Sequence, residues 1–161
     1  MAQDTDMNEI LATVTVSAPR RWLALGMLAF LGVLLVHFGF SAPPQSFLLQ
    51  VFVIGLGALS IALALKMHRG TGSTVELTRA GLRDGDGTVI APIEVIERVD
   101  RGAFAFKPSN GFMLRLSEGQ GRVWRPGLWW RLGRRVGVGG VTPGNQTKVM
   151  AEILQVLISE K

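Results

Sequence analysis

Residues 22–40, WLALGMLAFLGVLLVHFGF, and residues 47–65, FLLQVFVIGLGALSIALAL, hold no Asp, Glu, Lys or Arg, and their reading decides the architecture. As a helix, each stretch covers about 28 Å at ~1.5 Å per residue, close to the ~30 Å of a bilayer's hydrocarbon core. A single such run fits the buried helix of a soluble protein. Two in tandem, apolar all round and joined by the uncharged link Ser41-Ala42-Pro43-Pro44-Gln45-Ser46, predict a helical hairpin through a membrane.

The flanks orient the hairpin. Arg20 and Arg21 precede the first run, Lys66, His68 and Arg69 follow the second, and the link has no Lys or Arg. The positive-inside rule then places both ends, and with them both termini, in the cytoplasm of a bacterial inner membrane. Trp22 beside the arginines suits the headgroup layer. Arg20-Arg21 ahead of an apolar run superficially matches a twin-arginine leader. The run is longer than a signal h-region, no small-x-small cleavage site follows, and a second span comes at once.

Small residues allow helices to approach closely in lipid. Gly55, Ala58 and Ala62 share one side of the second helix and are expected to form the hairpin seam or to dock a partner's helices; Gly26, Ala29 and Gly32 interrupt the first. His37 and Gln50 are the most polar side chains in the spans. Lacking an acidic or second histidine partner, His37 reads as a solvated interfacial residue rather than a proton relay or haem ligand.

Ahead of the hairpin, residues 1–9 are polar, and the β-branched run Ile10-Leu11-Ala12-Thr13-Val14-Thr15-Val16 ends at Ser17-Ala18-Pro19. It is either a short strand pairing with a later sheet or an apolar linker within a cytoplasmic segment 1–19. After the hairpin segment, 20–69, the pattern changes. Residues 74–78 alternate, Gly81-Leu82-Arg83 leads into the turn Asp84-Gly85-Asp86-Gly87, and residues 88–91 and 93–99 are β-branched. Residues 103–106 and 112–116 flank Lys107-Pro108-Ser109-Asn110-Gly111, a second turn. Short strands at near-regular spacing predict an antiparallel sheet or partial barrel. Thr142 and Pro143 read as N-cap and first helical residue of a helix over 143–160, its broad apolar face made by Val149, Met150, Ile153, Leu154, Val156, Leu157 and Ile158. The fold class is thus a membrane α-helical hairpin plus an α+β domain over 73–161.

The run Val75-Glu76-Leu77-Thr78-Arg79-Ala80-Gly81-Leu82-Arg83, with Ile93-Glu94-Val95-Ile96-Glu97-Arg98-Val99 after it, resembles the opening of bacterial PH-like domains tethered to membrane hairpins. Phe104-Ala105-Phe106-Lys107-Pro108-Ser109-Asn110-Gly111-Phe112 and Gly127-Leu128-Trp129-Trp130-Arg131-Leu132-Gly133-Arg134-Arg135 are similar to alphaproteobacterial two-span membrane proteins. The likeness covers most of the chain and implies an architecture without an activity. Residues 122–140 depart from it, being too rich in Gly and Arg for an ordinary strand pair of that fold.

That segment concentrates the chain's basicity. Between Glu118 and Glu152 there is no acidic residue, while Arg122, Arg125, Arg131, Arg134, Arg135 and Lys148 are cationic and Trp124, Trp129 and Trp130 lie among them. Arginine offers forked donors to phosphate and tryptophan favours the lipid interface. Beneath a bilayer these residues suit anionic headgroups or an acidic protein face. The bland reading has the tryptophans packed and the arginines solvated. Membrane tethering argues against nucleic acid as the partner.

Catalytic and cofactor motifs fail one by one. Asp84-Gly85-Asp86-Gly87 starts like a calcium loop, but Val95 stands where the bidentate Glu is required. Gly137-Val138-Gly139-Gly140 lacks both dinucleotide spacing and the Lys-Ser/Thr of a phosphate loop. The chain has no cysteine, and His37 and His68 are separated by a whole span, so neither a metal site nor a cofactor is expected. Ser109 and Ser117 have no neighbouring histidine base. The expectation is a non-catalytic membrane adaptor or accessory subunit. It would bind membrane lipid or a membrane-protein partner through Arg122, Trp124, Arg125, Trp129, Trp130, Arg131, Arg134 and Arg135. The rival is a self-associating hairpin forming a channel or transport component, which the lack of intramembrane charge disfavours.

Overall fold

A computed structural model describes residues 8–101 and 108–161. Two helices, α1 (Ala18–Ser41) and α2 (Phe47–Gly70), pack side by side as an antiparallel hairpin. Only 17% of each apolar window is buried, whereas the core helix of a soluble protein would be mostly covered. Both helices are long and apolar enough to cross a membrane. Helix α2 continues beyond the apolar run through Lys66, His68 and Arg69.

The seam recurs at helical spacing. Leu25, Gly32 and Gly39 of α1 face Gly57, Ser60, Ala64 and Met67 of α2. At its centre the backbones nearly touch: a Cβ on Gly32 would lie 2.8 Å from the Gly57 carbonyl, and one on Gly57 2.9 Å from the Gly32 carbonyl. Polar groups in the seam find local partners, Ser60 Oγ donating to Leu56 O (2.9 Å) and Gln50 Nε2 to Gly39 O (3.0 Å). Gly55, Ala58 and Ala62 are therefore not the hairpin seam: all three are exposed, one helical step round from Gly57. Among the described residues nothing lies within 4 Å of a Cβ built on Gly55. At the other end, Arg21 Nη2 donates to His68 O (3.0 Å) and joins the start of α1 to the end of α2.

The remaining elements form two antiparallel sheets. One has the order β1 (Ile10–Val14), β2 (Val75–Thr78), β3 (Gly81–Asp84), β4 (Val89–Pro92). The other has β5 (Ile96–Asp100), β6 (Phe112–Arg125), β7 (Trp129–Val138). The undecided segment before the hairpin is thus a strand, with Thr13 opposite Glu76 and Val14 opposite Val75. Its pairing fastens the chain on both sides of the helices to one sheet. A 3-10 turn, Ile93–Val95, precedes β5 where a continuous strand was expected. The turns at Asp84-Gly85-Asp86-Gly87 and before Phe112 are present, with Gly87 N–H bonded to Asp84 O (2.8 Å) and Gly111 N–H to Pro108 O (3.1 Å). The strand expected over 103–106 lies outside the described residues.

The largest departure from expectation is at residues 122–140. This Gly- and Arg-rich stretch supplies half of the longest strand pair, β6 with β7. Arg125-Pro126-Gly127-Leu128 closes it as a type II turn: Leu128 N–H bonds Arg125 O (3.1 Å), and Gly127 takes the positive φ (+86°) that this turn demands. Register shifts between Arg115 and Val123 bend the hairpin. Its far end returns beside its own turn, Gly139 N–H bonding Leu128 O (2.9 Å) and Val141 N–H bonding Gly127 O (3.1 Å).

Leu77, Leu82, Ile90, Ile96, Phe112, Leu114, Leu116 and Trp129 fill the space between the sheets. The C-terminal helix α3 (Gly144–Ser159) adds Met150, Ala151 and Leu154. Its buried face is narrower than expected, because Val149 and Val156 point outward. Thr142 does not cap it. Pro143 is the N-cap, in extended backbone, and the Thr142 hydroxyl is buried with no hydrogen-bond partner among the described residues.

The seam generates a prediction. Gly57→Leu places a side chain against Val36 and the Gly32 carbonyl, and is expected to cost about 1–3 kcal/mol as overpacking does elsewhere. Gly55→Leu, on the open face, leaves thermal unfolding in detergent unchanged. Equal effects of the two substitutions would refute this assignment of the seam.

Candidate functional site

The expected basic, tryptophan-rich patch is divided by strand alternation into an inner and an outer set. Trp129 points inward, is 1% exposed, and donates from Nε1 to Asp84 Oδ2 (2.6 Å). It is a core residue and cannot meet lipid or a partner. Asp84, fully buried at the end of β3, also accepts from Ser73 Oγ and lies 3.1 Å from Arg125 Nε. Arg125 in turn pairs with Asp86. One carboxylate thereby gathers the segment leaving α2, the β3–β4 turn and the tip of the β6–β7 hairpin. The tip itself rests on the last turn of α2: a Cβ on Gly127 would meet Met67 Cε and Thr71 Cγ2 at 2.9 Å.

Two other expected site residues are also engaged within the fold. Arg131 donates from Nη1 to Val89 O (3.0 Å) and Ile90 O (2.8 Å), and from Nε to Gly121 O (2.8 Å). It satisfies carbonyls of β4, bridging the two sheets. Arg134 donates to Leu116 O (3.1 Å) and approaches Glu97 at 3.8 Å. Arg125, Arg131 and Arg134 are thus largely structural, for an arginine's forked donors suit carbonyl-rich strand ends.

What remains on the outer side is a continuous face. Trp124 and Trp130 are cross-strand partners, and the ring of Trp130 lies over Gly137, 2.5 Å from where a Cβ would stand. Trp124 is half exposed, and Lys66 of α2 places its ammonium 4.5 Å from the indole centroid, a cation–π contact. Lys66, Arg122, Trp124, Trp130, Arg131 and Leu132 line a groove of about 690 Å³ between the end of the apolar helix and the hairpin. Leu132 is 54% exposed. Further along, Arg135 stands opposite Arg115, and Arg115 opposite Arg98, one row across β7, β6 and β5.

Sequence reasoning missed Leu132, Arg98 and Arg115 and used Lys66 only for orientation. Arg115 does carry a signal. It is the lone cation between Leu114 and Leu116, both fully buried, so period-two alternation sends it outward. The nearness of Lys66 to Trp124 has no such signal, being 58 positions distant in the chain.

Two predictions follow from the Asp84 and Asp86 geometry. Asp84→Ala leaves the buried Trp129 indole without its acceptor and Arg125 with Asp86 alone, and is expected to cost about 1–3 kcal/mol, the penalty of an orphaned buried donor. Denaturant unfolding followed by tryptophan fluorescence measures it, and a loss below 1 kcal/mol contradicts the assigned role. Asp86 accepts from the Thr88 backbone N–H and hydroxyl and pairs with Arg125, which lowers its pKa from 3.8 to about 2. A carboxyl held down in the folded state stabilises the fold above its unfolded value, and that contribution is lost as the pH falls from about 4 towards 2. Asp86→Asn is therefore expected to flatten the fall in melting temperature over that interval, and an unchanged profile contradicts it.

No family model, curated protein or solved structure matches the chain.

Proposed function

We propose that the protein is a non-catalytic adaptor or accessory subunit of a bacterial inner membrane. In this reading α1 and α2 span the bilayer with both ends of the hairpin cytoplasmic. The sheets and α3 form a PH-like domain held against the inner surface, and the outer face of β6–β7 binds anionic headgroups or an acidic face of a membrane partner. The carrying observation is the groove in which Trp124, Trp130 and Leu132 lie beside Lys66, the first residue after the apolar run of α2. A groove there sits at the depth where indoles partition and cations meet lipid phosphate. Each cation near an anionic surface contributes about 1 kcal/mol.

The support for the PH-like assignment is the element order: a four-stranded sheet, a three-stranded sheet and one closing helix. The outward Gly55, Ala58 and Ala62 supply a small-residue face on which a partner's helix, or a second copy, can pack.

The test is purification of the full tagged chain from its native membrane in mild detergent, with mass spectrometry of retained phospholipids and proteins. The variant Lys66→Glu/Arg122→Glu/Trp124→Ala is expected to insert and fold normally while losing anionic phospholipid or a stoichiometric partner. If it keeps every lipid and protein the wild type keeps, the reading is wrong. Reversing Arg131 or Arg134 instead would test the fold.

A further inference from the structure

The row Arg98, Arg115, Arg135 crosses three strands with like charges in register. Directly opposed like charges destabilise a sheet, and alternating the signs would remove the cost. The carboxylates beside the row cover it incompletely. Asp100 takes Arg98 (Nε–Oδ1 2.8 Å), and Glu97 lies 3.8 Å from neighbouring Arg134. Among the described residues no carboxylate pairs with Arg115 or Arg135, and both are exposed. The row borders a recess of about 380 Å³ whose floor includes Met113. Met113 stands opposite Gly137, and Trp130 covers Gly137. This recess shares no lining residue with the groove at Lys66.

The geometry points to this row as a docking site for an acidic, carboxylate-rich protein segment in extended or helical form, with carboxylates on Arg115 and Arg135 and an apolar residue toward Met113. Asp100 decides between anions. A phosphate dianion brought to Arg115 meets the Asp100 charge with a denser charge of its own. Single, spaced carboxylates can pair with Arg115 and Arg135 while leaving Asp100 on Arg98. The molecule already covers Arg98 in this way. The site rests on the adaptor reading, for which it names the partner's chemistry.

The experiment uses the full chain in phosphatidylcholine nanodiscs and a fluorescein-labelled peptide of alternating glutamate and valine, followed by anisotropy. Wild type is expected to bind, more weakly as salt rises. Arg115→Gln/Arg135→Gln is expected to weaken binding about tenfold, the loss of two charge pairs at a surface. Arg135→Glu sets a carboxylate opposite Arg115, so it should occupy the site from within, abolishing peptide binding without lowering the melting temperature. Lys66→Glu/Arg122→Glu leaves peptide binding intact. No binding to wild type, or equal binding to the Gln variant, overturns the site. So does displacement of the peptide by a single-stranded RNA of equal charge at lower concentration, or its loss when phosphatidylglycerol enters the nanodisc. Phospholipid retained while the peptide fails to bind defeats only this site; the peptide bound while phospholipid is lost from no variant defeats only the headgroup reading.

Discussion

The buried carboxylate of Asp84 is the constraint on which the arrangement depends. A carboxylate removed from water is costly unless charge and hydrogen bonds surround it, and here three groups do so: Ser73 Oγ, Trp129 Nε1 and the Arg125 guanidinium. They join three distant parts of the chain. Ser73 follows α2, Asp84 ends β3, and Arg125 and Trp129 are register partners at the tip of the β6–β7 hairpin. Satisfying one charge therefore places the hairpin tip against the last turn of the apolar helix, where Gly127 meets Met67 and Thr71. The tryptophan that cannot serve the outer face holds that face in position.

The consequence is a division of labour between neighbours in sequence. Trp129 and Trp130 are adjacent, yet one is an inner hydrogen-bond donor and the other lies on the outer surface over Gly137. Arg131 and Arg134 spend their donors on strand carbonyls, while Arg122 and Arg135 stay at the surface. Arginine serves both purposes because its fork can satisfy several carbonyls at once or pair with an anion. Composition cannot separate these roles; strand alternation and the bend of β6–β7 do.

A similar division runs through the hairpin. Close approach of α1 and α2 needs residues without side chains at the crossing, and Gly32 and Gly57 supply it. The small residues at 55, 58 and 62 are turned to the outside by the rotation of α2. Spacing within one helix marks a face as smooth without stating which neighbour it meets. Here the neighbour is chosen by tight packing of Ile54 and Ile61 against Gly39 and Gly32.

Local chemistry made much of this protein readable. The two apolar runs, the turns at residues 84–87 and 108–111, the short β2–β4 strands and the C-terminal helix all follow from hydrophobic period, turn residues and length, which act between near neighbours. The same signals concentrated charge and tryptophan in residues 122–140 without disclosing its strands, because Gly133 and Gly137 break the β pattern that the cross-strand pairs nevertheless sustain. Only the tertiary structure decided that residues 10–14 pair with β2, that Trp129 is core, that Gly57 rather than Gly55 forms the seam, and that Lys66, Arg98 and Arg115 join the outer face. Each of these depends on a partner far along the chain, brought near by burial and by the need to satisfy buried polar groups, and no local pattern specifies such a partner.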